Sequence, residues 1–231
     1  MLFNLSKRPF LFAFGLCIIC GFCLTFAATF LKPFQEKNQA IDKQKNILKV
    51  LGLTQSSQTY TNADIESLYN QYVVPKYVLD NGQIQDEPTD NPIFLAVKDN
   101  QLVSYAIPIS GYGLWSTLYG YFSVKGDGTT VKGITFYQHG ETPGLGAEVE
   151  ATWFQENFVG KKIASLDGQF RSVGIVRGKV VDTVNAKDHP YHVDGISGAT
   201  VTCNGVNSFL KEGLQRYEPF AKRLRRKERV I

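Results

Sequence analysis

The spacing of hydrophobic and polar positions changes along this chain, and each change marks a different element. From Pro9 to Leu31 run 23 residues without a charge, rich in Phe, Leu, Ile, Cys and Ala. As a helix this stretch is about 34 Å long, enough to cross a hydrocarbon core. Pro33 to Leu53 reads as a juxtamembrane helix, with Ile41, Ile47, Leu48 and Leu51 near helical spacing and Gly52 as its stop. A second helix is expected over Asn62–Tyr72, capped by Thr61 or Asn62, with Ile65, Leu68 and Tyr72 on one side. Residues 80–92 are polar and turn-rich, a loop.

The period then becomes that of strands. Ile93–Val97 and Leu102–Ile107 flank Asp99-Asn100, and Tyr119–Val124 and Val131–Tyr137 flank Gly126-Asp127-Gly128, two hairpin signals. A helical pattern covers Ala151–Phe158, and strand-like runs return at Ser172–Val176 and Val180–Val184. The last helix is expected from about Val201 to Tyr217, burying Val206, Phe209, Leu210 and Leu214. Hairpins interrupted by helices predict an α+β domain on a mainly antiparallel sheet with flanking helices. The expected organisation is a cytoplasmic N-terminus (1–8), a transmembrane helix (9–31), a juxtamembrane helix and linker (32–60), the domain (61–218) and a basic tail (219–231).

Composition narrows the class. A chain of 231 residues with 43% hydrophobic and 20% charged residues holds one sizeable domain and no second bundle of spans. Ala27-Ala28 is a weak cleavage context, but the apolar run is too long for a signal-peptide core. Lys7 and Arg8 precede the span, while Lys32 and Lys37 follow it with Glu36 between them. This weak bias puts the N-terminus inside and the domain on the outer face. Cys17, Cys20 and Cys23 lie in the span and Cys203 stands apart, so no disulfide framework exists. Two Cys-x-x-Cys steps invite an iron–sulfur reading. On a helix, however, those positions drift around the axis and lack a fourth ligand, so they read as small hydrophobes. The net charge of +4 comes mainly from Lys222-Arg223-Leu-Arg225-Arg226-Lys227-Glu-Arg229, expected to be a solvated tail or a contact for anionic lipid or an acidic neighbour. No zinc spacing and no aromatic-rich basic strand points to nucleic acid.

Chemistry concentrates in two segments. Asp194-Gly-Ile-Ser197-Gly198-Ala199-Thr200-Val-Thr202 is a small-residue turn entering the last helix. Ser197 is its expected N-cap, Gly198 and Ala199 allow close approach of a ligand, and Thr200 offers a hydroxyl where the free helix amides point. Such a terminus favours phosphate. The Ser-Gly-Ala-Thr run alone reads first as an ordinary cap, and only the second motif turns it towards a ligand.

His139-Gly140-Glu141-Thr142-Pro143-Gly144-Leu145-Gly146 follows a strand and forms a tight loop able to approach a flat ligand. Glu141 and Thr142 offer an acceptor and a hydroxyl, and Leu145 an apolar contact. The glycine-aromatic segment from Gly111 to Thr117, with Trp115 and Ser116, supplies another wall. Acid–base chemistry by His139 and Glu141, and a metal cluster of His139, His189 and His192, are weaker alternatives. No nucleophile sits in a recognisable context, and the histidines lack ligand-like spacing.

With both motifs in hand, the chain resembles the C subunit of the bacterial Na⁺-translocating NADH:quinone reductase. WSTLYGYFSV, GITFYQHGETPGLGAEV, FVGKKI, YHVDGISGATVTCNGV and the juxtamembrane NQAIDKQKNIL carry the likeness. The G subunit of the related Rnf complex shares the ETPGLG-type loop and the acceptor threonine, but the fuller HGETPGLGAEV and GLWSTLYG runs favour the reductase. Cys203, where a small polar residue is expected, and a short segment before Ile93 depart from the pattern.

The resemblance implies FMN esterified through its phosphate to Thr200 by a separate flavin transferase using FAD and Mg²⁺. It implies a six-subunit inner-membrane complex that passes electrons from NADH through FAD, iron–sulfur centres, this FMN, a second FMN and riboflavin to quinone, coupled to sodium export. The candidate cofactor-binding set is Thr200 with Ser197, Gly198, Ala199 and Thr202; Glu141, Thr142, Leu145 and Gly146; Trp115 and Ser116; and Lys179, a cation for the pyrimidine edge of the ring. No catalytic residue and no metal ligand is expected. The chain has no nicotinamide fingerprint, so oxidation of NADH by the isolated chain is not expected. A membrane-anchored binding domain without redox chemistry is the remaining alternative.

Overall fold

The computed structural model describes residues 7–54, 58–99 and 101–228. The expectations placed on residues 1–6, on the Lys7 and Arg8 side chains, on Asn100 and on Arg229 lie outside the described residues. The chain divides into two units, Met1–Ile41 and Asp42–Ile231.

Helix α1 (Lys7–Leu51) contains Pro33, so one helix stands where the sequence suggested two. Pro33 removes a single amide from the ladder without stopping it. From Phe10 to Phe34 the large apolar side chains are exposed, and Phe22, Phe26, Phe30 and Phe34 form a ladder of rings 6.2–6.3 Å apart. The helix is long and apolar enough to cross a membrane.

In the second unit α1 ends as expected at Gly52, whose φ is +70°. The amide of Leu53 reaches Leu48 O and that of Gly52 reaches Lys49 O, the paired bonds of a Schellman stop. The last turn meets the sheet through hydroxyls: Ser123 Oγ donates to Val50 O at 2.6 Å. Helix α2 (Asn62–Tyr72) begins at a capping box in which Thr61 and Asp64 satisfy each other's amides.

Strands β1 (Val73–Val78), β2 (Ile84–Gln85), β3 (Pro92–Lys98), β4 (Gln101–Tyr112), β5 (Thr117–Lys125) and β6 (Val131–Gln138) form one antiparallel sheet in the order β2-β1-β3-β4-β5-β6. Both expected hairpins are present. Strand β1 is absent from the sequence pattern because Pro75 interrupts it. The proline is tolerated since β2 pairs only with Tyr77 and Val78, leaving the rest of that edge open.

Helix α3 (Thr152–Glu156) lies inside the region expected to be helical, Ala151–Phe158, and a 3₁₀ turn (Gly146–Glu150) precedes it. Only two residues of the run at Ser172–Val176 pair, as β7 (Gly174–Ile175). Their partner is a parallel β8 (His192–Val193) rather than the run at Val180–Val184. That run is instead a single helical turn, α4 (Val180–Thr183). Asp194 Oδ1 accepts the Val180 amide at 2.7 Å, and Thr183 Oγ1 closes on Lys179 O, so side-chain bonds override the strand propensity.

Helix α5 (Thr200–Arg225) covers one face of the sheet. It begins one residue before expectation and runs eight beyond Tyr217, through Pro219. The reason is burial: Phe220, Ala221 and Leu224 continue its apolar stripe, and Phe220 sets its ring edge-on against Tyr105 at 5.1 Å. The basic segment expected as a tail is therefore helical to Arg225, with Lys222, Arg226 and Lys227 exposed. Arg223 and Arg225 donate to the carbonyls of Gly82 and Gly128, and Arg225 also pairs with Glu218. Tyr105, Ile107, Phe122 and Val124 face α5, while the alternate residues Ser104 and Ser123 face the end of α1.

Candidate functional site

The two motifs meet at a carboxylate. Strands β4 and β5 close at Tyr112 and Thr117, and the turn between them presents three successive amides to one point. Glu141 Oε1 accepts the amides of Leu114 (3.2 Å), Trp115 (2.9 Å) and Ser116 (3.2 Å). Its Oε2 accepts the Thr202 hydroxyl at 2.6 Å. Glu141 is 5% exposed and Thr202 1%. Burial pushes the Glu141 carboxyl up, but the Thr202 hydroxyl and the three amides outweigh it and hold the group below the usual carboxylate range. Glu141 is thus a charged peg in a nest of amides, tying the glycine-aromatic turn, the His139–Gly146 loop and the first turn of α5 together.

Small residues make this closure possible. A Cβ on Gly146 would lie 2.7 Å from both Glu141 Oε2 and Thr202 Oγ1. Gly198 has φ +74°, and a Cβ there would lie 2.7 Å from the Leu145 side chain, so the two motifs pack directly on each other. Ser116 acts behind the site, its Oγ accepting the Gly140 amide at 2.6 Å.

The entry to α5 differs from expectation. Its N-cap is Ala199, without a side-chain cap bond, and Ser197 is exposed and caps nothing. The turn closes through backbone instead, Ala199 N to Ile196 O and Cys203 N to Ala199 O. Among the described residues no side chain accepts from the first-turn amides, which leaves them as donors for an anion.

Thr200 is exposed on this first turn and stands where two clefts meet. One, of about 310 Å³, is walled by Leu114, Trp115, Thr142, Leu145 and Val201, with the Glu141–Thr202 pair in its lining. The other, of about 760 Å³, is walled by Trp153, Arg177, Lys179, Asp194, Cys203 and Asn204. Lys179 therefore lines the same cleft as Thr200. Asp194 holds it there by capping α4, and the Gly195 amide pins Gly178 O at 2.8 Å. Burial pushes the Cys203 thiol up, so the sulfur beside Thr200 stays protonated.

Trp153 is a wall residue that pattern reading passes over. Its indole Nε1 is held by Glu148 at 3.2 Å and its ring is half-exposed. Its position soon after the glycine loop is the one signal in the sequence. The acid–base alternative has no support in the geometry: His139 Nδ1 accepts the Glu141 amide, its Nε2 lies 3.1 Å from Glu150, and the Glu141 carboxylate is engaged elsewhere. His189 and His192 each bond a local carbonyl, those of Val184 and Asp188. Among the described residues no group of three His, Cys, Asp or Glu side chains gathers as a metal site.

A flat, partly apolar ligand with a phosphate fits these surroundings. Exposed Leu114, Trp115, Leu145 and Val201 surround one cleft, Arg177 and Lys179 stand in the other, and the helix amides lie between. Residues 113–215 match the FMN-binding domain family, and that is the class of protein this fold and site define. Over 96% of its length the chain is 33% identical to the C subunit of the Na(+)-translocating NADH-quinone reductase of Pseudomonas aeruginosa, of which 97% is covered. With the same protein of Pasteurella multocida it shares 34% identity, over 91% of each chain. The crystal structure of the C subunit from Parabacteroides distasonis superposes with a TM-score of 0.70 at 34% identity, covering 83% of this chain and 96% of that one. The chain belongs to the C-subunit family of the Na⁺-translocating NADH-quinone reductases.

Proposed function

We infer that this chain is the FMN-carrying electron-transfer subunit of a Na⁺-translocating NADH-quinone reductase, working in a complex with that enzyme's other subunits. The relatives are C subunits, which favours this reading over the Rnf G subunit. The observation that carries the site is Thr200: an exposed hydroxyl on the first turn of a 26-residue helix, between an apolar cleft and a cationic one.

In this reading Thr200 Oγ carries the flavin as a phosphoester. A flavin transferase presents FAD, and the Thr200 oxygen displaces AMP at the flavin-side phosphorus. One P–O bond of the pyrophosphate breaks, one P–O bond to Thr200 forms, and the hydroxyl proton leaves to water. The α5 amides and Lys179 hold the resulting phosphodiester charge. Trp115, Leu145 and Thr142 wall the ring, while Gly146, Gly198 and Ala199 keep the backbone close. Glu141, Thr202 and Ser116 position these walls. Ser197 remains at the rim. Bound FMN would supply reversible uptake and release of electrons, chemistry that no side chain here can provide.

The rest of the reading follows the same line. The apolar helix anchors the chain in the inner membrane, in contact with lipid, with the domain on the periplasmic side of a six-subunit assembly. There an ester bond prevents loss of the cofactor by dilution. The isolated chain does not oxidise NADH. The test is expression with and without a flavin transferase, followed by denaturation, mass measurement and in-gel fluorescence. A fluorescent chain heavier by one esterified FMN, absent in Thr200→Val, is expected. No covalent flavin, with the transferase active on a control substrate, overturns the assignment.

A further inference from the structure

A cavity of about 910 Å³, whose lining does not include Thr200, adjoins a second of about 560 Å³, with Ser165, Leu166, Asp167 and Tyr191 common to both. Together they are lined by seven Lys and Arg residues and three Asp. The three carboxylates are all engaged internally. Asp127 accepts the amides of Thr129 and Thr130, Asp167 accepts the Ser165 hydroxyl, and Asp188 pairs with Arg171 at 3.0 Å. Three cations are likewise used, Arg171 by Asp188, Lys162 by Thr130, and Arg225 by Glu218 and Gly128 O. The other four, Lys187, Lys211, Lys222 and Arg226, are at least partly exposed and have no side-chain partner among the described residues. Seven cations against three carboxylates leave the lining net positive.

Leu166 stands between the two cavities and is fully exposed, at 107% of its reference area. Backbone bonds close the turn that carries it. The Ser165 amide bonds Gln169 O, the Gly168 amide bonds Ser165 O, and Ala164 bridges Phe170. An exposed apolar tip flanked by free cations has the make-up of an interface anchor inside a charged rim.

We propose that this groove docks an acidic, extended segment of another subunit, with Leu166 seated in an apolar pocket of that partner. The proposal rests on the chain's membership of an assembly and not on the flavin. Charge complementarity selects the occupant's sign. Concavity selects its kind, because a bilayer surface is flat on this scale and cannot reach into cavities on both sides of Leu166. Along α5, Lys211 to Lys222 spans about 16 Å and Lys211 to Arg226 about 22 Å. An extended segment of about five to seven residues with carboxylates towards both ends matches that span.

The test places a photo-crosslinking residue at position 166 of the full chain, in membranes holding the complete complex, with adducts mapped by mass spectrometry. Expected is an adduct on an Asp/Glu-rich segment of another subunit. Its yield should fall at least about tenfold with K187E/K211E/K222E/R226E and fall steeply with rising salt. An adduct to phospholipid, a protein adduct indifferent to charge reversal and salt, or no adduct overturns the proposal. Thermal melting of the variant reports folding, and covalent flavin fluorescence is read separately, so failure of docking is distinguishable from failure of the flavin assignment.

Discussion

Thr202 donates its hydroxyl to Glu141 across 61 residues of chain, at 2.6 Å and out of reach of water. The bond makes the helix that carries Thr200 and the loop that carries Leu145 one object. Removing the Glu141 carboxylate leaves three amides and a hydroxyl unsatisfied in a buried nest. Glu141→Ala should lower stability by about 2–4 kcal/mol, and Glu141→Gln by less, because its amide oxygen still accepts. Chemical denaturation of the two variants beside the parent measures the difference.

The same carboxylate sets a pH dependence. Its folded pKa is held below the unfolded value of about 4.3, so its contribution is complete above that value and is lost as pH falls through the folded pKa. Thermal melting from about pH 6 down to about pH 3 should show the parent losing more stability in the acid range than Glu141→Gln, which starts lower and falls less.

The two threonines of the motif should separate cleanly. Thr200 is exposed, and Thr200→Val should abolish covalent flavin while moving stability by less than about 0.5 kcal/mol. Thr200→Ser keeps the hydroxyl and should retain flavin. Thr202→Val should retain flavin but cost about 1–2 kcal/mol, since it strips a partner from a buried carboxylate. Mass spectrometry and melting on the same preparations read both quantities.

Gly198 joins the motifs by contact. Gly198→Ala sets a Cβ at φ +74° against Leu145, a strain of about 1–3 kcal/mol. The chain should fold but accept flavin more slowly in a timed transferase reaction. Equal rates would show that the Gly198–Leu145 contact has no part in positioning Thr200.

Ser123→Ala takes the donor from a buried carbonyl, Val50 O, at the end of α1. A loss of about 1–2 kcal/mol is expected on denaturation, with covalent flavin content unchanged.

Much of this architecture is visible as pattern. The capping box at Thr61 and Asp64, the stop at Gly52 and both hairpins follow from residues near one another in sequence. What escaped depends on partners far away. The β1 strand hides behind Pro75 and is rescued by the shortness of β2. The run at Val180–Val184 is β-branched, yet Asp194 caps it into a helical turn. Helix α5 passes Pro219 because Tyr105 waits beneath Phe220. At the site, both motifs declare themselves by their glycines and small residues. The role of Glu141 does not, since an acid in a loop looks like a ligand contact until three amides from another hairpin are found around it. Ser197 misleads for the opposite reason: its type suits a cap that the backbone already provides.

The end of α1 meets the sheet at Ser104 and Ser123, whereas Tyr105 and Phe122, one residue along each strand, turn to the other side and meet α5. A pull or twist arriving through residues 42–51 is therefore received by the middle strands and spread across their hydrogen-bonded width before it reaches Thr200. The junction with α1 and the packing of α5 thus occupy opposite faces of the same strands, so loss of the serine hydroxyls disturbs the first without removing any contact of the second.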